Sequence, residues 1–401
     1  MSKEAEAYIV IAQQQWDLTL GSNARNLAIT FSIEYPVIYV NPPLDIKTLL
    51  QTFYTKKGWQ RLLLSLGLGG NTVKADTNLW VHTPSSISIS INRIKNAGVY
   101  DFYNRINAKG FFRSLKKAIR LIGWDPKQCI VFNDSQMFTG RYTKELLEPL
   151  LSFYYIRDNL IEHPYFALQG SRIEPITIAD SDAIFANSAY LADYAKAHNA
   201  NSFDIGQGCE LDMYDAEKNY EIPSDMASIP QPRIGYIGFL TGERLDIPLL
   251  EELVTLKKEW NWVLIGPEES RFLQSNLHKA ANVHFLGSRK LAELPAYIQA
   301  LDVCLNPQLI NPLTVGNYPR KIDEYLAMGK PTVATDTPAM KMFLPHVHLA
   351  VGTESYIDAI NEAMKHRESE TILKAIEFAK GHTWEASVEK IYSVQKRILH
   401  A

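Results

Sequence analysis

Short apolar runs alternate with helical patterns along this chain, and this alternation limits the fold more than any other feature. Runs of this kind are typical of buried strands in a mostly parallel sheet with crossover helices. The first series has its apolar runs at residues 7–12, 37–40, 129–132, 153–156 and 183–186. It predicts an α/β domain in the first half of the chain.

A second series begins after a polar stretch with several prolines, residues 222–232. Its predicted strands are residues 233–238, 262–265, 283–286, 303–305, 332–334 and 348–351. Its predicted helices are residues 249–258, 291–300, 319–328 and 355–365. Because 401 residues are too many for one core, we expect two Rossmann-like α/β domains, with a last helix at 384–400.

Composition excludes several classes of protein. The chain is 46% hydrophobic and 21% charged, which is ordinary for a globular protein. Cys129, Cys209 and Cys304 form no C-x-x-C pair, so neither a zinc site nor a disulfide framework is expected. The polar, acidic start lacks the pattern of a signal peptide, and no apolar stretch reaches the length of a membrane span. We expect a cytoplasmic protein.

Residues 317–336 carry the most chemical information. Asn317 can cap a helix, Pro319 suits its first turn, and Gly329 can end it. This helix follows a strand, so its start is expected at the carboxyl edge of the sheet, where open α/β sheets bind ligands. Free amide groups at a helix start favour an anion such as phosphate.

The two faces of this predicted helix differ. One is apolar and should pack on the sheet, with Ile322, Tyr325 and Leu326. The other carries Lys321, which can add a full charge for a phosphate, and Glu324, which can accept hydrogen bonds from ribose hydroxyls. The plainer interpretation is a surface helix whose charges merely pair with each other.

The motif of residues 317–335 resembles the donor motif of GT-B glycosyltransferases, above all bacterial enzymes that make capsular polysaccharide, exopolysaccharide and teichuronic acid. Further stretches resemble the family in the same order: 179–188, 234–238, 243–246, 262–267, 283–287, 294–297 and 383–385. The resemblance implies a GT-B architecture of two Rossmann-like domains that face each other across a cleft. It implies an acceptor-side domain at 1–210, a donor-binding domain at 211–383, and a helix at 384–401 that packs back on the first.

The resemblance also implies the function. It is sugar transfer from a nucleotide-sugar donor, UDP-linked by expectation, to a glycan or lipid-linked acceptor in cell-surface polysaccharide synthesis. The donor-binding residues that it implies are Gly238, Thr241, Gly242, Arg244, Gly287, Asn317, Lys321 and Glu324. No cofactor or metal is expected, because basic residues serve the leaving diphosphate in this family.

One departure from the family keeps alternatives open. Many retaining members carry a glutamate eight residues before the ribose-binding one, and here that position is Gly316. The donor sugar and the stereochemistry are therefore not predicted. A nucleotide-sugar 2-epimerase or hydrolase of the same fold, and a scaffold subunit without turnover, remain as alternatives.

A catalytic base is expected from a carboxylate at a strand end of the first domain. Asp158 is the first choice, because residues 157–160 resemble a segment in which related exopolysaccharide enzymes have their base. Asp134 and Asp17 are the alternatives. Asp158 could instead cap the next helix or pair with Arg157. The start of the first predicted helix should line the acceptor side, with Gly21, Ser22, Asn23 and Arg25.

The remaining feature is charge. Residues 51–127 contain thirteen Lys and Arg but only three Asp and Glu, although the chain as a whole has a net charge of −3. Residues 93–120 could form a basic amphipathic helix that makes a peripheral membrane contact, at the inner face of the cell membrane, or an ordinary solvated helix. Nucleic acid is not an expected partner. The D-x-D triplet 180–182 precedes a strand and is not expected to bind a metal.

Overall fold

The computed structural model describes residues 5–18, 22–365 and 369–400. The chain divides into two compact units. The N-unit comprises residues 1–206 together with 387–401, and the C-unit comprises residues 207–386. The sequence predicted the division after residue 210, and the structure divides the chain after residue 206. The return to the first domain was predicted at residue 384, and in the structure it begins at Ser387.

The N-unit is built on an eight-stranded sheet with the order β10-β9-β8-β7-β1-β2-β5-β4 and a small pair, β3 and β6. Its strands are β1 Ala7–Ile11, β2 Val37–Val40, β3 Leu44–Asp45, β4 Thr72–Asp76, β5 Leu79–His82, β6 Ile87–Ser88, β7 Cys129–Asp134, β8 Leu151–Ile156, β9 Ala183–Ala186 and β10 Ser202–Asp204. Its helices are α1 Asn23–Glu34, α2 Ile46–Thr52, α3 Lys56–Ser65, α4 Ala97–Leu121, α5 Met137–Gly140, α6 Thr143–Leu147, α7 Pro164–Asp180 and α8 Ala189–Lys196.

The central strands of the N-unit are buried on both faces, as their apolar runs predict. Neighbours in the main sheet are parallel, except that β4 runs antiparallel to β5. The register pairs Ile9 with Ile38 on one side and with Val131 on the other. The chain moves from one side of β1 to the other between β5 and β7, so the switch point lies between β1 and β7.

The C-unit has a six-stranded parallel sheet with the order β13-β12-β11-β14-β15-β16. Its strands are β11 Arg233–Ile237, β12 Asn261–Ile265, β13 Val283–Gly287, β14 Val303–Asn306, β15 Thr332–Thr335 and β16 His348–Ala350. The later helices are α9 Ser224–Ala227, α10 Ile247–Leu256, α11 Ser270–Leu273, α12 Leu294–Ala300, α13 Lys321–Ala327, α14 Thr353–Lys365, α15 Ser369–Lys380 and α16 Trp384–Leu399.

Two apolar clusters enclose the C-unit sheet. One joins α13 to the sheet through Ile322, Tyr325 and Leu326, as the sequence predicts. The other packs α10 and α14 on it. The last helix, α16, belongs to the N-unit from Ser387 onward, where Tyr392 lies 5.4 Å from Tyr35, ring centre to ring centre.

Candidate functional site

The carboxyl edge of the C-unit sheet is the first candidate site. Here β11 and β14 are neighbours, with the earlier strands on one side and the later strands on the other. Open α/β sheets bind ligands at such a switch point, because the loops after the two strands diverge and leave a crevice. The loop after β11 and the start of α13 both lie here, and they contain most of the predicted donor-binding residues.

Three glycines follow one another across this edge, at the ends of β11, β12 and β13. Gly238, Gly266 and Gly287 all have positive φ, at +148°, +147° and +69°. Gly238 N donates to Ile265 O, and Gly266 N donates to Gly287 O, both at 2.9 Å. A Cβ on Gly266 would lie 1.8 Å from the carbonyl oxygen of Gly238. Side chains at Gly238 and Gly266 would therefore collide with their surroundings, and the edge is bare backbone at all three positions.

Lys321 stands over this surface. Its Nζ donates to the hydroxyl of Tyr236 at 2.6 Å and lies 4.2 Å from the centre of the same ring. A Cβ on Gly238 would come within 3.0 Å of Nζ. The ammonium group is thus fixed beside the glycine turn, where an anion could approach both. Sequence reasoning found Lys321 and Gly238 but missed Tyr236, because no local pattern ties a tyrosine in β11 to a helix so far along the chain.

Glu324 lies one turn further along α13. Burial raises the pKa of its carboxyl group, and the nearby charges of Arg320 and Lys321 pull the pKa back down. Tyr214 shares a hydrogen bond with it. A partly buried carboxylate between cations is suited to accept hydrogen bonds from the hydroxyl groups of a ligand. The plainer interpretation, a fully solvated pair of charges, does not describe this residue.

Arg244 and Asn317 come together beside this site. With its amide oriented to satisfy its neighbours, Asn317 accepts from Arg244 Nη1 and donates to Leu313 O, each at 3.2 Å. The prediction that Asn317 caps the helix is wrong. The helix begins only at Lys321, after Arg320, because residues 311–317 form turns of their own in which Asn317 N donates to Thr314 O.

Thr241 and Gly242 belong to the loop after β11. This loop is fastened to the loop after β12, since Gly242 N donates to Glu269 Oε1 at 2.6 Å. It is also fastened to the turns before α13, since Asn311 Nδ2 donates to Glu243 O at 3.1 Å. Thr241 is buried, and its carbonyl group accepts from the N–H groups of Arg244 and Leu245. Thr241 therefore supports the loop.

A buried polar network, which the sequence did not reveal, fixes α13 from behind. Asp323 is fully buried and accepts from Tyr318 Oη and from His382 Nδ1, both at 2.7 Å. Cys209 Sγ also donates to it, at 3.3 Å. Because Cys209 and His382 come from distant parts of the C-unit, the network fastens α13, and with it Lys321 and Glu324, to the rest of the unit.

The carboxyl edge of the N-unit sheet brings together a second group of predicted residues. Asp134 ends β7 and is fully buried, and Arg157 Nε donates to its Oδ1 at 2.9 Å. A second nitrogen of the same guanidinium group, Nη1, lies 3.7 Å from Asp158 Oδ2. Burial raises the pKa of Asp134, and Arg157 lowers it again. Asp158 keeps a quarter of its side chain exposed, so it is the more accessible of the two carboxylates.

The start of α1 lies in the same place. Ser22, Asn23 and Arg25 face the hydroxyl groups of Tyr39 and Tyr155, whose pKa values are raised by burial and by the charge of Asp134. Arg25 also lies over the ring of Trp16, 4.9 Å from its centre. We call this group, Trp16, Ser22, Asn23, Arg25, Tyr39, Asp134, Tyr155, Arg157 and Asp158, the N-unit edge cluster. Gly21 lies outside the described residues.

Asp17 has a different surrounding. It is more than half exposed and forms an ion pair with Lys57 at 2.6 Å. The pair joins the loop after β1 to α3. This favours a structural contact over the role of base that Asp17 was given as an alternative.

The basic segment 93–120 contains most of helix α4. Its apolar face lies in the core, because Phe111, Phe112, Leu115 and Ile119 are buried. The helix also lines a shallow cavity of about 530 Å³ with five cations: Lys109, Arg113, Lys116, Lys117 and Arg120. The helix therefore offers charge to a partner, and four of its large apolar side chains are exposed: Val99, Phe102, Ile106 and Leu121.

The described residues form neither a metal-binding group nor a membrane-spanning helix. Within the described ranges, no three His, Cys, Asp or Glu residues are grouped so that they could hold a metal ion. Asp182 of the D-x-D triplet accepts from Ser152 N and from Lys144 Nζ instead. None of the helices described is long and apolar enough to cross a bilayer.

Part of the C-unit matches a known protein family. Residues 231–366 match the family described as "Glycosyl transferases group 1". The chain is also similar to the putative teichuronic acid biosynthesis glycosyltransferase TuaH of Bacillus subtilis (strain 168), at 30% identity over 198 residues. That match spans 46% of this chain and 48% of the relative, about half of each protein.

Solved structures match almost the whole chain. Sucrose-phosphate synthase from Thermosynechococcus elongatus has a TM-score of 0.67 at 13% identity, over 98% of this chain and 99% of that one. The HepE protein of Anabaena, solved in complex with UDP, has a TM-score of 0.65 at 13% identity, over 98% and 100%. At such low identity these matches show the fold alone. The GT-B fold expected from the sequence is confirmed, and the family match is that of residues 231–366.

Proposed function

We propose that this chain, which carries a group 1 glycosyltransferase domain on the GT-B fold, transfers a sugar from a UDP-linked donor to a glycan or lipid-linked acceptor. The product would be a cell-surface polysaccharide. One observation carries the proposal: the chain holds Lys321 beside Gly238, with Glu324 one turn away, at the switch point of the C-unit sheet.

The C-unit site suits a nucleoside diphosphate. The leaving diphosphate gains negative charge as the bond to the sugar breaks, and a fixed ammonium group stabilises that charge. Lys321 supplies it, and the open backbone at Gly238 lets a phosphate come close. Glu324 would accept from the ribose hydroxyls, and Arg244 would add a second positive charge on the other side of the loop. With these cations the reaction would need no metal.

The N-unit edge cluster suits the acceptor. Transfer with inversion needs a base that removes the proton of the attacking hydroxyl. Asp158 would serve, because it is accessible and Arg157 holds it in one position. Asp134 would act through Arg157, since it is buried and bonded to that guanidinium. The named function of the TuaH relative and the UDP in the HepE structure both support this type of substrate.

The test is UDP release from a panel of UDP-sugars, with and without a lipid extract that contains the acceptor. We expect release only when donor and acceptor are both present, and a radiolabelled sugar in the lipid fraction. Free sugar, or an epimerised nucleotide-sugar, formed without acceptor would contradict transfer and favour the epimerase or hydrolase alternative. No turnover and no UDP binding would leave a scaffold subunit.

A further inference from the structure

Exposed apolar side chains are concentrated in one short part of the N-unit. Of the 26 large apolar side chains that are exposed among the described residues, eight lie between residues 46 and 73. They are Ile46, Leu50, Phe53, Tyr54, Trp59, Leu66, Leu68 and Val73. We call residues 46–73 the α2–α3 hairpin, because α2 and α3 pack on each other within it. An apolar surface of this kind marks a site of interaction.

The hairpin packs little of its surface into the protein. Helix α2 has no buried residue, and only Gly58 and Ser65 of α3 are buried. Phe53 is 54% exposed, Tyr54 77% and Trp59 55%. A segment that only closed the core would turn such side chains inward, since each buried aromatic ring stabilises the fold. In the hairpin these three rings are exposed to solvent instead.

The charge of the hairpin is of one sign. It contains Lys47, Lys56, Lys57 and Arg61 and no Asp or Glu. Proteins often have Trp and Tyr beside Lys and Arg where they contact the interface between water and lipid. There the rings enter the headgroup layer, and the cations bind anionic lipids. The combination therefore fits an anionic bilayer surface.

The hairpin lies beside the N-unit edge cluster. Lys57 pairs with Asp17 in the loop after β1, at 2.6 Å, and Arg61 faces the charges of Asp17 and Asp45. Trp16, which precedes Asp17, belongs to the cluster through its contact with Arg25. A surface that binds the hairpin would thus also lie beside the N-unit edge cluster, where the acceptor is proposed to react.

We propose that the α2–α3 hairpin docks on an anionic lipid bilayer, with Phe53, Tyr54 and Trp59 in the headgroup layer and the cations on the lipid phosphates. The hairpin rather than α4 makes the contact, because α4 exposes four large apolar side chains over its 25 residues and buries the rest of its apolar face in the core, whereas the hairpin exposes eight. The benefit for catalysis rests on the proposed function: a lipid-linked acceptor is already at this surface, so docking replaces a search in solution by one in two dimensions.

Flotation of the full chain with vesicles tests the docking. The vesicles contain phosphatidylcholine alone, or with about one third phosphatidylglycerol, at roughly 50 and 500 mM salt. We expect the wild type to float with the anionic vesicles at low salt and less at high salt. The triple variant Phe53→Ser, Tyr54→Ser, Trp59→Ser should bind at least about tenfold more weakly, because three exposed rings no longer enter the interface.

Two matched variants serve as controls. Leu256→Ser, Leu273→Ser, Leu373→Ser removes three leucines of similar exposure from the C-unit, and it should float like the wild type. Lys116→Ser, Lys117→Ser on α4 should lose little. A wild type that never floats, or a triple variant that floats unchanged, would overturn the proposal. So would a dimer in solution that the triple variant abolishes while vesicles bind neither form, which would assign the hairpin to a second copy of the chain.

Calorimetry with UDP on the same preparations separates this proposal from the proposed function. The triple variant should bind UDP like the wild type, because its substitutions are in the N-unit. Absence of flotation with normal UDP binding would overturn the docking and leave the donor site standing. Flotation without UDP binding would do the reverse.

Discussion

Lys321 and Tyr236 are linked in two ways at the carboxyl edge of the C-unit, where the ammonium group donates to the phenol oxygen at 2.6 Å and lies above the ring. The phenol holds the lysine in place while no phosphate neutralises it. The ring also offers a favourable surface to the cation. A ligand that binds here meets a charge that is already positioned, so little side-chain entropy is lost on binding.

Replacing Lys321 by Ala should weaken UDP binding by about 2 kcal/mol, roughly thirtyfold, because a hydrogen bond from a charged group to phosphate is lost. Tyr236→Phe should weaken it only a few-fold, since the ring still lies beneath the ammonium group. Calorimetry measures both. Lys258→Ala, an exposed lysine of the same unit, is the matched control and should change nothing. Equal affinity of Lys321→Ala and wild type would refute the phosphate assignment.

Two of the edge glycines, Gly266 and Gly287, should differ in how well they tolerate replacement by Ala. Gly266→Ala should destabilise the C-unit by several kcal/mol, because the new Cβ would lie 1.8 Å from a backbone oxygen. At Gly287 nothing lies within 4 Å of a Cβ, so only the positive φ counts, at roughly 1–2 kcal/mol. Thermal unfolding of the two variants gives the comparison. Equal losses would show that backbone angle alone governs this edge.

The two carboxylates on Arg157 should have separable roles. Asp158→Asn should lower the transfer rate about a hundredfold or more, with unchanged UDP affinity and unfolding temperature, because a general base is lost. Asp134→Asn should lower stability by about 3 kcal/mol, because it removes the charge that compensates a largely buried guanidinium. Assays of transfer and unfolding on both variants decide this. Near-normal transfer by Asp158→Asn would give the role of base to another residue.

Glu174 should make stability depend on pH. It is buried, with Tyr154 Oη donating to it at 2.8 Å, and burial raises its pKa to about 7 from an ordinary value of 4.5. Between pH 4.5 and 7 Glu174 keeps its proton in the folded chain and loses it in the unfolded chain. The contribution of Glu174 to stability is therefore lost as the pH rises from about 4.5 to about 7. The loss is roughly 3 kcal/mol at most.

Glu174→Gln isolates this contribution, since the amide cannot ionise and can still form hydrogen bonds with Tyr154 and Tyr194. The free energy of unfolding of the wild type, minus that of the variant, should fall as the pH rises from about 4.5 to about 7. His82 acts in the opposite direction, because burial lowers its pKa to about 4 and stability is lost as the pH falls below about 6.5. Subtraction of the variant removes this effect. A difference that does not change with pH would contradict the buried carboxylate.

The sequence predicted the fold well where periodicity is strong. The apolar run at 37–40 is β2, and the stop at Gly329 is real, with φ +64° at the end of α13. Strand β4 was missed because its residues are mostly exposed and polar, so no apolar run marks it. The start of α13 was also misplaced, because turn hydrogen bonds at 311–317 compete with a cap at Asn317.

The candidate site was predicted in part. Lys321, Glu324 and Gly238 were found through a local motif, and the structure brings Lys321 and Gly238 within contact. Tyr236 and Tyr214 were missed, because they contribute through contacts between residues far apart in sequence. Arg157 was named only as a partner of Asp158, and its bond to Asp134 was not predicted. Two interpretations of residues 93–120 were left open, a helix on a membrane and a solvated helix with a buried face, since periodicity alone does not say what a face packs against. Phe111, Phe112, Leu115 and Ile119 of α4 lie in the core.

A crystal soaked with UDP tests the central claim most directly, because one map shows the base, the ribose and the diphosphate together. The account predicts the diphosphate within hydrogen-bond distance of Lys321 Nζ, close to the backbone of Gly238, and the ribose hydroxyls on the carboxylate of Glu324. A UDP molecule bound elsewhere in the chain, with Lys321 still bonded only to Tyr236, would contradict it.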